Sequence, residues 1–146
     1  MSSLVNPANA HGKDAYTAEL TGILAEGVCP FCRPHATRFL NETIAQEGSW
    51  FAVRNKYPYE HTLHHILIVQ ENHIETLDGL NGNQMGELLI LLNRLCEELR
   101  IDGGAFAVRF GNTKMTGATV AHLHGHLIVP TMKDESHAEP VWFPIG

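Results

Sequence analysis

Three histidines stand at alternate positions in the run "VAHLHGHLIV", residues 120–129: His122, His124 and His126. On a strand, side chains at i, i+2 and i+4 point to one face, so the three imidazoles are expected on one side and Leu123, Gly125 and Leu127 on the other. Burying three imidazoles in a plain core would carry a repeated desolvation cost. Two chemistries suit them better. Neutral imidazoles bind zinc, and a neutral imidazole is a nucleophile or general acid/base near pH 7. Gly125 weakens a strand and marks a close approach of backbone or ligand.

A second group is the C-x2-C pair Cys29 and Cys32, half of a tetrahedral zinc site. Histidines could complete it: His35 lies three residues on, His61, His64, His65 and His73 cluster mid-chain, and His122 opens the triad. Thioredoxin-like redox use is the alternative. The pair encloses Pro30 and Phe31 and precedes no βαβ pattern, which favours metal.

These residues need a scaffold. Residues 14–26 predict a first helix, with Asp14 as cap and Gly27 as stop. "CPFCRPH" reads as a tight knuckle, and residues 36–47 are ambiguous, with a short helix as one reading. "SWFAVRN" and "HHILIVQ" read as strands, and "ENHIETLDGLNGN" as a loop with one helical turn. Residues 84–100 give the strongest helical period, with Met85, Leu88, Leu89, Leu92, Leu95, Cys96 and Leu99 on one stripe. Ile90 and Leu91 lie off it and imply either a second core face or a subunit interface. Cys96 reads as a small buried hydrophobe. "AFAVRFG" alternates Phe106, Val108 and Phe110 against Ala107 and Arg109, "NTKMTGA" is a polar loop, and "TVAHLHGHLIVP" is a strand ended by Pro130. Residues 131–146 read as an irregular tail anchored by Trp142 and Phe143. The sum is α+β with a mainly antiparallel sheet.

The length of 146 residues suits one domain, 1–146. A net charge of −6 argues against a polymeric nucleic-acid surface, which needs clustered Lys and Arg. No apolar stretch is long enough to span a membrane, and "MSSLVNPANAHGKDAY" lacks the pattern of a signal peptide, so a cytoplasmic location is expected.

"HLHGHLIVP", preceded by "GATV", resembles the signature of the histidine triad (HIT) superfamily of nucleotide hydrolases and transferases. "HHILIVQENH" resembles that family's upstream segment, with His65 and His73 at its two histidine positions. "CPFC" followed by "WFAVRNKYP" resembles the zinc-bearing branch, which includes galactose-1-phosphate uridylyltransferase and the dinucleoside polyphosphate phosphorylases. The matches run from about residue 28 to 130.

The resemblance implies a HIT-like fold: a five-stranded mainly antiparallel sheet with one long helix and shorter ones, usually homodimeric. Such a dimer would use helix 84–100 and a sheet edge. It implies that His124 attacks the α-phosphorus of a nucleotide substrate, forming a nucleotidyl-imidazole that water or another acceptor resolves. The nucleophile's other nitrogen should donate to a backbone carbonyl, which fixes the tautomer. His126 would assist the phosphate and protonate the leaving group. Thr119 and Asn112 occupy matching positions, although Thr also favours strands and Asn also shapes turns. His65 would border the nucleotide, and Asn55 and Lys56 would touch ribose or phosphate. A structural zinc would be held by Cys29, Cys32, His73 and His122, with His35 as rival ligand.

Two residues bear on the reaction. Ala118 stands where many members carry Gln. His126 is retained where the uridylyltransferases have Gln, which favours a hydrolase or phosphorylase. The leading expectation is hydrolysis of a dinucleoside polyphosphate or nucleoside phosphoramidate. The alternatives are a phosphorylase or nucleotidyltransferase, and a zinc-stabilised nucleotide-binding module without turnover. A phosphorylase must hold a second anion, most simply with an Arg. Arg54 and Arg109 are the arginines near the matched blocks, and alternation leaves Arg109 facing either solvent or the cleft. With no clear clamp, water is the expected acceptor.

Overall fold

The computed structural model describes residues 3–146. Strands β1 (Thr43–Glu47), β2 (Trp50–Arg54), β3 (Thr62–Gln70), β4 (Ala105–Arg109) and β5 (His124–Pro130) form one sheet in the order β1-β2-β3-β5-β4. Every adjacent pair is antiparallel. The central strands β3 and β5 are covered on both faces, which accounts for their near-continuous apolar runs.

Each face has its own core. Phe51, Val53, Leu67 and Val69 pack with Leu20 and Ile23 of α1 (Asp14–Glu26) and Ala36 of α2 (Arg33–Phe39). Trp50, Ala52, Ile66 and Ile68 pack on the opposite face with the long helix α3 (Gly82–Glu98). Gly27 closes α1 in the left-handed conformation at φ +68°, whereas Lys13 holds the N-cap position and Asp14 stands in the first turn. Asn81 caps α3 in a reciprocal box with Gln84. The ambiguous stretch 36–47 divides into the end of α2, which has Pro34 in its first turn, and edge strand β1.

The core-facing stripe of α3 is Leu88, Leu91 and Leu95. Leu91 is fully buried, while Met85, Leu89 and Ile90 are 48%, 59% and 54% exposed. The helix is apolar over more than half its circumference, and the sheet takes the side that Leu91 centres. The loop 113–116 folds into one turn of helix, α4 (Thr113–Thr116), capped by Asn112.

β5 enters the sheet only at His124. Before it, Val120 bridges Val5, and the Ala121 N–H donates to the Leu4 carbonyl. Asn6 N–H donates to the Thr119 carbonyl, and Asn9 Nδ2 donates to the carbonyls of Thr113 and Ala118. The N-terminal segment therefore fixes the loop that leads into the triad. Gly125 is required by packing: a Cβ there would lie 2.2 Å from Phe106 Cζ. After β5 the chain makes a bridged turn, Met132 to Ala138, and residues 140–144 return across the sheet. Among the described residues, no helix is long and apolar enough to cross a membrane.

Candidate active site

His124 and His126 lie on the same sheet face as His65, Leu67 and Val69, opposite α3. His124 Nδ1 is 2.6 Å from the carbonyl of His122. A carbonyl only accepts, so Nδ1 carries the proton and a neutral ring leaves its lone pair on Nε2. Burial, the largest influence, pushes the His124 pKa down to about 4, so the ring is neutral near pH 7. The Phe31 ring meets it edge-on at 4.8 Å between centroids. A desolvated neutral imidazole with a fixed tautomer is a competent nucleophile.

His126 belongs to a chain of donors. The Tyr59 N–H donates to His65 Nδ1 at 3.0 Å, so a neutral His65 carries its proton on Nε2. That nitrogen lies 2.9 Å from His126 Nδ1 and donates to it. A neutral His126 then carries its proton on Nε2. Burial drives the pKa of His126 well down, and burial likewise pushes His65 to about 4.

Both triad residues line a cleft of about 640 Å³, within the range that accommodates small ligands. Its lining is aromatic in part, with Tyr16 stacked on Tyr57 at 4.5 Å and Trp142 against His11. Thr119 Oγ1 shares a hydrogen bond with the Tyr16 hydroxyl. Two cations reach the cleft, Lys13 and Arg109.

Beside the cleft, Cys29, Cys32, His73 and His122 bring one ligand atom each to within 4.8 Å of the others. His122 Nδ1 lies 3.3 Å and 3.7 Å from the two sulfurs, and His73 Nδ1 lies 3.4 Å from Cys32. Tetrahedral coordination by S and N places neighbouring ligand atoms roughly 3.3–3.8 Å apart, so the group fits a metal ion. The outer nitrogens support this. His122 Nε2 donates to the Gln70 carbonyl and His73 Nε2 donates to Glu75, which leaves both Nδ1 lone pairs facing the sulfurs. His35 is not in the group.

A family model described as the HIT domain matches residues 40–133. The chain belongs to the HIT domain family. No curated protein matches the sequence significantly. Among solved structures, the histidine triad nucleotide-binding protein from Candida albicans is similar at 22% identity and a TM-score of 0.59, covering 82% of this chain and 85% of that one. A histidine triad protein from Clostridium difficile shows 21% identity and 0.55, covering 73% and 93%. The diadenosine triphosphate hydrolase of Plasmodium falciparum, in complex with cyclomarin A, shows 21% identity and 0.53, covering 64% and 63%. At these identities the likeness shows the fold alone.

In this HIT domain the structure brings His124, His126, Thr119 and Asn55 to the cleft, and His65 directly behind His126. It does not bring Lys56 or Asn112 to the cleft lining: Lys56 pairs with Glu19, and Asn112 accepts from the Lys114 N–H as the cap of α4. Of the two orientations that alternation leaves open for Arg109, the structure takes the one that faces the cleft. Alternation within "AFAVRFG" already sets Arg109 opposite Phe106 and Val108, which pack on the α3 side. Lys13, Tyr16 and Tyr59 had no such signal, because each reaches the cleft through a contact distant in sequence.

Proposed function

We propose that this HIT domain is a zinc-containing nucleotide hydrolase that works through a nucleotidyl-histidine intermediate on His124. The observation that carries the reading is the buried neutral His124, whose Nδ1–H is committed to the His122 carbonyl and whose Nε2 is free in a cleft of nucleotide size. Nε2 attacks the α-phosphorus, an N–P bond forms and the bond to the leaving group breaks. A polyphosphate leaving group departs as an anion, its oxygen accepting a hydrogen bond from the Nε2–H of His126, which His65 holds in orientation. Water then attacks the same phosphorus and releases a proton to solvent, the N–P bond breaks to return neutral His124, and a nucleoside monophosphate leaves. Splitting one displacement into two lowers each barrier.

The substrate class is a dinucleoside polyphosphate or a nucleoside phosphoramidate, a class supported by the family and by hydrolases of the same fold. A second reading, with phosphate as acceptor in a phosphorylase or transferase, is favoured by Arg109 in the cleft. The metal at Cys29, Cys32, His73 and His122 is zinc in a structural role, since four protein ligands leave no open position. The exposed Met85, Leu89 and Ile90, together with edge strand β4, support a homodimer. Three cysteines with no disulfide among them suit a reducing, cytoplasmic setting.

The test is turnover of a panel of adenylyl and guanylyl compounds by wild type and by His124→Asn, with acid quench to capture the labelled protein. The expected result is label on wild type alone and loss of turnover in the variant. Near-normal rates in His124→Asn would overturn the mechanism.

A further inference from the structure

Arg109 is 9% exposed, and no carboxylate pairs with it among the described residues. A buried guanidinium without an anion is costly. Its donors are also unevenly used. Nε donates to the Pro144 carbonyl at 2.9 Å, and Nη2 donates to that carbonyl and to the Tyr59 hydroxyl at 3.0 Å. The Phe143 ring stacks on the guanidinium at 3.8 Å. Nη1 remains, and it points at His126 Nε2, 3.3 Å away.

That last contact joins two donors. The Tyr59 N–H fixes His65, His65 fixes His126, and a neutral His126 presents N–H from Nε2. Arginine only donates. Two N–H groups therefore converge at the cleft wall next to His124 with no acceptor between them. An oxygen bearing negative charge satisfies both and supplies the missing counter-charge.

We propose that Arg109 Nη1 and His126 Nε2 jointly bind an oxygen of a phosphate group adjoining the attacked phosphorus. This rests on the reading of His124 as the nucleophile. In the forward direction the phosphate is that of the leaving group, and a free orthophosphate acceptor would occupy the same place in the second displacement. Pro144 and Tyr59 aim the guanidinium by occupying its other edge, so the returning tail serves the site as a positioning segment.

The experiment measures binding without turnover. Inorganic phosphate, ADP and adenosine are titrated separately into the turnover-deficient His124→Asn protein, and the Arg109 Nε–Hε resonance is followed by 15N NMR. A saturable shift with ADP that is absent with adenosine supports the proposal. A shift with orthophosphate identifies the acceptor source as well, and a shift with ADP alone restricts the site to the leaving group. Adding Arg109→Lys, which keeps the charge, should weaken ADP about tenfold or more and leave adenosine unchanged. No perturbation of Arg109 by either phosphate compound, or equal ADP affinity in the Lys variant, overturns the proposal. Binding is read apart from chemistry, so failure here is distinguishable from failure of the hydrolase reading.

Discussion

Replacing Gly125 with Ala should damage both stability and catalysis through a single contact. The added Cβ would meet Phe106 Cζ at 2.2 Å and Cε2 at 2.3 Å. Carbon atoms sit at about 3.5–4.0 Å in ordinary contact, so β5 and the Phe106 ring must separate by about 1.3 Å or more. Overpacking of this kind costs about 1–3 kcal/mol, which for a chain of this length lowers Tm by about 2–12 °C. Gly125 lies between His124 and His126, so part of the displacement reaches the nucleophile, and a 1 Å misplacement costs on the order of 10²-fold in rate. Thermal unfolding and kcat should be measured for Gly125→Ala, Phe106→Leu and the double variant. Shortening the ring should restore part of both losses, with a coupling of about 0.5–3 kcal/mol. Additive effects in the double variant, or a Gly125→Ala protein with wild-type Tm and kcat, would refute the steric reasoning.

Metal analysis of the purified protein should give about one zinc per chain, and chelation should lower Tm, because the binding energy of such a site is folding energy; unchanged Tm in metal-free protein would count against the site. His65 is held neutral down to about 4 by burial, then by the charges of Lys13 and Arg109. An unfolded histidine titrates near pH 6.5, so between these values the unfolded chain binds a proton that the folded chain does not. Stability is full above about pH 6.5 and falls with acidification by about 1.4 kcal/mol per pH unit for this group. Urea midpoints across that window should show a shallower slope in His65→Gln, and an equal slope would exclude His65 as the source. Asn112→Ala should cost about 1 kcal/mol by removing a helix cap and leave KM unchanged; a large KM effect would place Asn112 at the substrate instead.

The fold was largely legible because its strands carry short β-branched runs and its site residues alternate with period two. The C-x2-C spacing marks two of the metal quartet and the family resemblance implies the other two, and the structure brings those four side chains together. Sequence pattern failed where two answers shared one period. Helix α3 is apolar on adjoining faces, so only contact with Trp50, Ile66 and Ile68 selects Leu91 over Leu89. It failed too where a residue acts at long range. Tyr59 lies in the turn before β3, Lys13 at the start of α1, and Pro144 in a segment without regular structure. None carries a local signature of its place around the cleft.

His122 does two jobs with two different parts of itself. Its ring belongs to the cysteine group, while its carbonyl holds the Nδ1 proton of His124. A disturbance that pulls the ring therefore tilts the peptide on which the neighbouring imidazole depends, without touching any side chain of the cleft. Thiol oxidation at Cys29 or Cys32 would thus register at His124 through a single residue's backbone. The knuckle cannot be redesigned as an inert plug unless the replacement also keeps that one carbonyl in place.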